Sequence, residues 1–202
     1  MCVLAIQYKI ARDSPILVAQ NREEIYDRPT QVPRIQSGRP RLVCGIDRKA
    51  GGTWFGVNQH GLFVAVCNRP KMAVPSDPRS RGLLCRELLG ANNAAEAVEL
   101  ATKELATGCY AGANYVCADA QSGALVQGGD RIEVQELVPG LHLLTNGRMN
   151  DPADQRQAFV RRLLTLQRLD SAVAFLAVAS RAFSRKPDEA GRRGVVVCGA
   201  DY

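Results

Sequence analysis

The feature that most limits the fold of this chain is its succession of short apolar strands joined by tight turns. CVLAIQY and ILVAQN alternate well enough to be strands, and RDSP between them is turn chemistry. Strands this close in sequence pair antiparallel, as a hairpin. TWFGVNQHGLFVAVCN repeats the arrangement, with Gln-His-Gly between two apolar strands. ANYVCADA, ALVQGG, RIEVQEL and LHLLTN predict four further strands, and GVVVCG a short closing one. The stretch from Asp27 to Arg41, with three prolines and a glycine, reads as a surface loop.

Helical signals separate these strands. Leu83, Leu84, Leu88 and Leu89 recur at helical spacing and Gly90 ends the run. NNAAEAVELATKELAT restarts with Asn93 as cap and Glu96 three residues later, a capping-box pattern. PADQRQAFVRRLLTLQRL and SAVAFLAVASRAF predict two more helices, the second apolar nearly all round and therefore expected to lie buried against a sheet. The order is strands, two helices, strands, two helices, strand. That order predicts an α+β fold with mainly antiparallel sheets, either a two-sheet sandwich with flanking helices or a single-sheet domain. With 202 residues, 46% of them hydrophobic, and no repeat or linker, residues 1–202 are expected to form one domain.

Composition excludes several classes of function. No apolar run approaches the roughly 20 residues of a membrane span. MCVLAIQYK lacks the basic start and cleavage site of a secretory signal, so a cytoplasmic location is expected. The seven cysteines are scattered without a CxxC pair and the two histidines, His60 and His142, lie far apart, so neither a metal site nor a disulfide framework is expected. The net charge of +6 raises nucleic acid as a partner. The basic residues are instead spread over RIQSGRPR, DPRSRG, RQAFVRRL and SRKPDEAGRR, with no interleaved aromatics to stack bases. Solvated faces come first as an explanation, a small anionic ligand second, and no nucleic-acid partner is expected.

Cys2 is the residue with the most chemical potential. If Met1 is removed, it carries a thiol beside a free α-amine, whose reference pKa of about 7.7–8.0 lets it act as the thiol's base. By position alone Cys2 is the first residue of a strand. Its case depends on other polar groups meeting it. Asn21, Arg22 and Glu23 end the strand that would pair with it: a guanidinium there would favour the thiolate, and a carboxylate would orient the amine. The Gly51–Gly52 pair beside Trp54, the only tryptophan, permits close backbone approach or positive φ. Asn68 and Asn146 both close apolar strands, where a side-chain amide suits an oxyanion donor as well as a turn.

Taken in order, MC, NREE-x-Y-x-RP, GGTWFGVN-x-x-G, N-R-P, S-R-G and L-x-x-TN-G resemble the NRDE-domain (transport and Golgi organization protein 2) family, from Met1 to Tyr202. The resemblance implies an N-terminal-nucleophile (Ntn) hydrolase fold: a four-layer αββα sandwich of two mainly antiparallel sheets flanked by helices. It also implies distant kinship with penicillin V acylases and bile-salt hydrolases, in which a processed N-terminal cysteine cleaves an amide. Carried over by motif, Cys2 is the nucleophile, Glu23 takes the place of an aspartate, and Asn68 and Asn146 match two asparagines. Asn21, Arg22 and Trp54 would line the substrate site. Three departures stand out. Gln20 occupies the acylases' arginine position, the signature reads NREE, and the chain stops at CGADY where relatives continue into further strands, so C-terminal strands are expected to be lacking.

Two functions follow from this resemblance. One is a Cys2-dependent hydrolase of a small amide or acyl substrate, needing no cofactor. The other is a non-catalytic protein that binds or traffics haem or an acyl-CoA in the same cleft, with haem as a bound ligand. His60, His142, Cys2 and the methionines are the available iron ligands, none in a specific motif.

Overall fold

The computed structural model describes residues 2–186 and 195–196. β1 (Cys2–Tyr8) and β2 (Ile16–Arg22) form the expected hairpin, in register from Cys2 opposite Arg22 to Tyr8 opposite Ile16. The stretch expected to be a loop contains β3 (Thr30–Gln36), an almost wholly exposed strand. Pro33 and a register shift between Gln31 and Arg34 hide it from a pattern search. An edge position tolerates both, because proline there removes no essential ladder donor. β4 (Leu42–Asp47) is a second unexpected strand. β5 (Phe55–Asn58) and β6 (Phe63–Asn68) form the expected second hairpin.

Next come α1 (Arg81–Leu88) and α2 (Ala94–Ala106), then β7 (Ala113–Ala118), β8 (Gly123–Gly128), β9 (Ile132–Glu136) and β10 (Gly140–Leu144). α3 (Gln155–Leu164) and α4 (Ala172–Phe183) follow. Each helix starts on a polar side chain that accepts from its first-turn amides: Ser80, Asn93, Asp154 and Ser171. At α2 the Asn93 Oδ1 accepts from Glu96 N at 2.9 Å, while Glu96 reaches back one residue further than a capping box requires, to Asn92 N at 3.0 Å. The short strand expected at 194–199 lies outside the described residues except for 195–196.

Two compact units result, one of residues 1–26 with 138–202 and the other of 27–137. The first holds a three-stranded antiparallel sheet in the order β10-β1-β2. All seven residues of β1 are buried. Side chains alternate across it: Val3 and Ala5 join Leu17, Leu143, Val160 and Phe175 in a core under α3 and α4, leaving Cys2, Leu4, Ile6 and Tyr8 on the opposite face. Each fully buried Val, Leu or Phe of that core contributes about 1.5–3 kcal/mol. α4 is buried on one side only: Phe175, Ala179, Ala182 and Phe183 face the core, whereas Val173 is 80% exposed. The helix lies against its sheet as expected, packed on β2, and its other side is open. A single sheet layer and α3 cover one flank, and the remaining apolar residues stay at the surface.

The second unit is a seven-stranded antiparallel sheet in sequence order, β3-β4-β5-β6-β7-β8-β9. Its core under α1 and α2 includes Val64, Leu84, Leu88, Ala97, Ala101, Tyr115 and Val126. Cys44, Cys85 and Cys117 are buried there as small apolar residues. Burial pushes the Cys117 thiol up to about 12, and the Cys85 thiol well above its ordinary value. The fold is thus α+β with two antiparallel sheets, each carrying its own helix pair, and the single-sheet alternative falls. Among the described residues no helix is long and apolar enough to cross a membrane.

Candidate functional site

The first unit gathers its polar groups at one end of its sheet. Cys2 begins the central strand, buried, with Arg22 as its registered partner at the end of β2. On the other side Leu4 pairs with Leu144. β10 ends at Leu144, and Asn146 stands two residues further on, in the bend that follows it. Arg22 contacts Glu24 at 3.5 Å, with both side chains partly exposed. The Glu23 side chain, only 7% exposed, accepts from Arg156 twice, from Nη1 to Oε2 at 3.1 Å and from Nη2 to Oε1. Arg156 Nη2 also donates to the carbonyl of Val195. Burial lowers the Arg156 guanidinium from the ordinary arginine range, and the Cys2 sulfur, within its electrostatic reach, works in the opposite direction.

Arg156 is placed by the start of α3. Asp154 caps that helix, its Oδ1 accepting from Arg156 N at 2.9 Å and from Gln157 N at 3.0 Å. Its other oxygen accepts from the Thr145 hydroxyl. Gln157, almost fully buried, donates to Thr145 Oγ1 at 3.1 Å and to Arg148 O at 2.8 Å. The turn carrying Asn146 is therefore tied to the helix end carrying Arg156. Sequence reading missed Arg156, which stands in a stretch read as a solvated helix face. A signal was present: an arginine two residues after the N-cap opposes the helix dipole, and such a place calls for a carboxylate partner.

Asn21 falls on the opposite face from Cys2. Its Nδ2 donates to Phe183 O at 2.8 Å, which ties β2 to the end of α4. Asn68 and Trp54 belong to the second unit. Asn68 is exposed at the end of β6, opposite Ala113. The Trp54 ring lies on Gly45: a Cβ there would come within 2.2 Å of Trp54 Cη2.

The remaining motifs interlock inside that second unit. Gly51 has φ +75°, and a Cβ on Gly52 would come within 2.2 Å of the Gly82 carbonyl carbon. Thr53 N donates to Gly82 O at 2.9 Å, so the GGTW and SRG segments are packing partners. Asn58 of GVN-x-x-G donates to Leu89 O at 3.0 Å and Ala91 O at 2.7 Å, and accepts from His60 N and Leu62 N. Arg28 grips Asp47 through Nε and Nη2.

This fold, with a cysteine heading the central strand of one of two antiparallel sheets, is of the Ntn-hydrolase kind. A Caenorhabditis elegans N-acylethanolamine-hydrolyzing acid amidase ortholog superimposes with a TM-score of 0.63 at 15% identity, covering 94% of this chain and 88% of that one. The C2A mutant of conjugated bile acid hydrolase from Clostridium perfringens gives 0.50 at 13% identity, covering 100% of this chain and 65% of its own. The chain belongs to the Transport and Golgi organisation 2 family, whose sequence profile matches residues 1–178. The mouse Transport and Golgi organization 2 homolog is 26% identical over 178 residues, covering 77% of this chain and 64% of the mouse protein. The bovine homolog is 29% identical over 191 residues, covering 87% of this chain and 68% of its own. For the human homolog the values are 27% over 146 residues, 68% of this chain and 52% of the human protein.

Proposed function

We propose that the chain is a cysteine-dependent hydrolase of a small, anionic amide or acyl substrate, acting in the cytoplasm with Cys2 as nucleophile. The observation that carries this reading is Cys2 at the head of its sheet's central strand, opposite Arg22, with the part-buried Glu23–Arg156 pair within electrostatic reach of its sulfur. The fold likeness to an amide-cleaving amidase supports it. With Met1 removed, the α-amine takes the thiol proton as the sulfur attacks the substrate carbonyl. The C–N or C–O bond breaks, the proton passes to the leaving group, and a thioester remains on Cys2. Water then adds to the thioester, the C–S bond breaks to release the acid, and a proton from the water returns to the Cys2 sulfur. Arg156 stabilises negative charge developing at the sulfur, and Glu23 holds Arg156 in place. Asn146 is the proposed oxyanion donor and Arg22 a substrate contact.

The binding alternative finds less support from iron ligation. In His142 the Nε2 faces Val138 O at 2.7 Å and Nδ1 faces Asn150 Nδ2 at 3.0 Å, so both ring nitrogens are engaged. Single-turnover hydrolysis of a panel of N-acyl amides and acyl thioesters, with wild type and Cys2→Ala, separates the two readings. Release of product by the wild type alone is expected. Saturable binding of the same compounds by both proteins, without turnover, would replace the hydrolase with a carrier.

A further inference from the structure

We propose that the second unit carries a binding site for a phosphate-bearing small molecule, at the depression beside the Gln59–Gly61 turn. The depression encloses about 540 Å³ and is lined by Arg39, Pro40, Arg41, Gln59, His60 and Asn92, with glycines at its rim. That volume suits a ligand of nucleotide or cofactor-fragment size. A lone orthophosphate would fill a small part of it, so the ligand has a body beyond its phosphate.

The lining side chains are rich in donors. Gln59 Oε1 accepts from Arg41 N at 3.0 Å, and Gln59 N donates to Arg41 O at 3.0 Å. This two-way bridge ties the two residues together and occupies the amide oxygen. Among the described residues the guanidiniums of Arg39 and Arg41 and the amide nitrogen of Gln59 have no hydrogen-bond or ion-pair partner. Two like charges sharing one concavity repel each other, and an anion between them removes that cost. Guanidinium forks match phosphate oxygens two at a time.

The Glu96 carboxylate, held by the lining residue Asn92, is already engaged. Glu96 accepts from Asn92 N and Asn92 Nδ2, both at 3.0 Å, and from Asn93 Nδ2 at 3.2 Å. Those hydrogen bonds, with His60 nearby, hold its carboxyl below the ordinary glutamate range. It therefore stays ionised and keeps the Asn92 amide turned to itself, which leaves Arg39, Arg41, Gln59 and His60 for the ligand. The site is independent of the proposed hydrolase reading. Its lining residues all belong to the second unit, whereas Cys2, Glu23 and Arg156 belong to the first.

The test is isothermal titration of the full chain with inorganic pyrophosphate at low ionic strength, comparing Arg39→Gln, Arg41→Gln and, as a surface control, Lys103→Gln. Thermal unfolding of each variant confirms that it is folded. One-to-one saturable binding is expected, weakened at least about tenfold by either arginine substitution and unchanged by Lys103→Gln and by Cys2→Ala. Absence of saturation, or equal weakening by Lys103→Gln, overturns the proposal. A single-stranded oligonucleotide that binds more tightly than pyrophosphate through the same two arginines overturns it as well, in favour of nucleic acid. Loss of Cys2 labelling with pyrophosphate binding intact would defeat the hydrolase reading and leave this site standing.

Discussion

The Glu23–Arg156 pair makes a quantitative prediction. Removing one partner of a buried ion pair costs about 3–5 kcal/mol, because the other is left desolvated. The side chain of Arg156 is 20% exposed and that of Glu23 7%. Glu23→Gln leaves a cation with some access to water and the Val195 carbonyl still in place, so a loss of about 2–3 kcal/mol is expected. Arg156→Met takes two hydrogen bonds from the more deeply buried carboxylate and should cost slightly more, about 3–4 kcal/mol. Removing both should cost only about 3 kcal/mol, a coupling of about 2–4 kcal/mol. These losses leave a domain of ordinary stability folded. Urea unfolding at pH 7 with an unchanged m-value measures all three. In a Cys109→Ser background, iodoacetamide labelling of Cys2 should slow about tenfold in Arg156→Met, as a nearby guanidinium favours the reactive thiolate. Additive stability costs, or a labelling rate indifferent to Arg156, would refute the reasoning.

Other predictions concern the framework. Asn58→Ala removes four hydrogen bonds and should cost about 3 kcal/mol, a fall in Tm of roughly 6–12 °C by calorimetry. Gly52→Ala drives a Cβ into the Gly82 backbone and should destabilise more than Gly61→Ala, where φ is +82° but the space is open; the latter should cost about 1–2 kcal/mol in urea. The chain should also lose stability in alkali. Cys117 keeps its proton in the folded state up to about 12, while the unfolded thiol releases it near 9.0. Above that lower value the unfolded chain binds fewer protons, so stability falls with rising pH, by about 1.4 kcal/mol per unit for one such thiol. Urea unfolding at pH 8 and pH 10 checks this, and Cys117→Ala should flatten the dependence.

Much of the fold could be read from local pattern. The hairpins of β1–β2 and β5–β6 and the cap Asn93 depend on residues within a few positions of one another. β3 escaped because TQVPRIQ has the polarity of an exposed edge and a proline besides, so neither alternation nor apolar content marks it. The exposure of Val173 and Leu176 was hidden for a different reason: periodicity says which residues are apolar, and what covers them depends on neighbours far along the chain. The site divides in the same way. Cys2, Arg22, Glu23 and Asn146 are strand-end residues, and strand ends are visible in sequence. Arg156 reaches Glu23 across 133 positions, and no local signal names that partner. Asn21 alternates onto the helix side, a consequence of strand pleating that its NREE neighbours obscured.

Whether Cys2 is a nucleophile exposed by loss of Met1 is tested most directly by peptide mapping with mass spectrometry, after brief treatment of the native protein with a reactive acyl thioester. An N-terminal peptide that begins at Cys2 and carries the acyl group is expected, with no adduct in Cys2→Ala. Retained Met1, or acylation confined to the exposed Cys109, would contradict it.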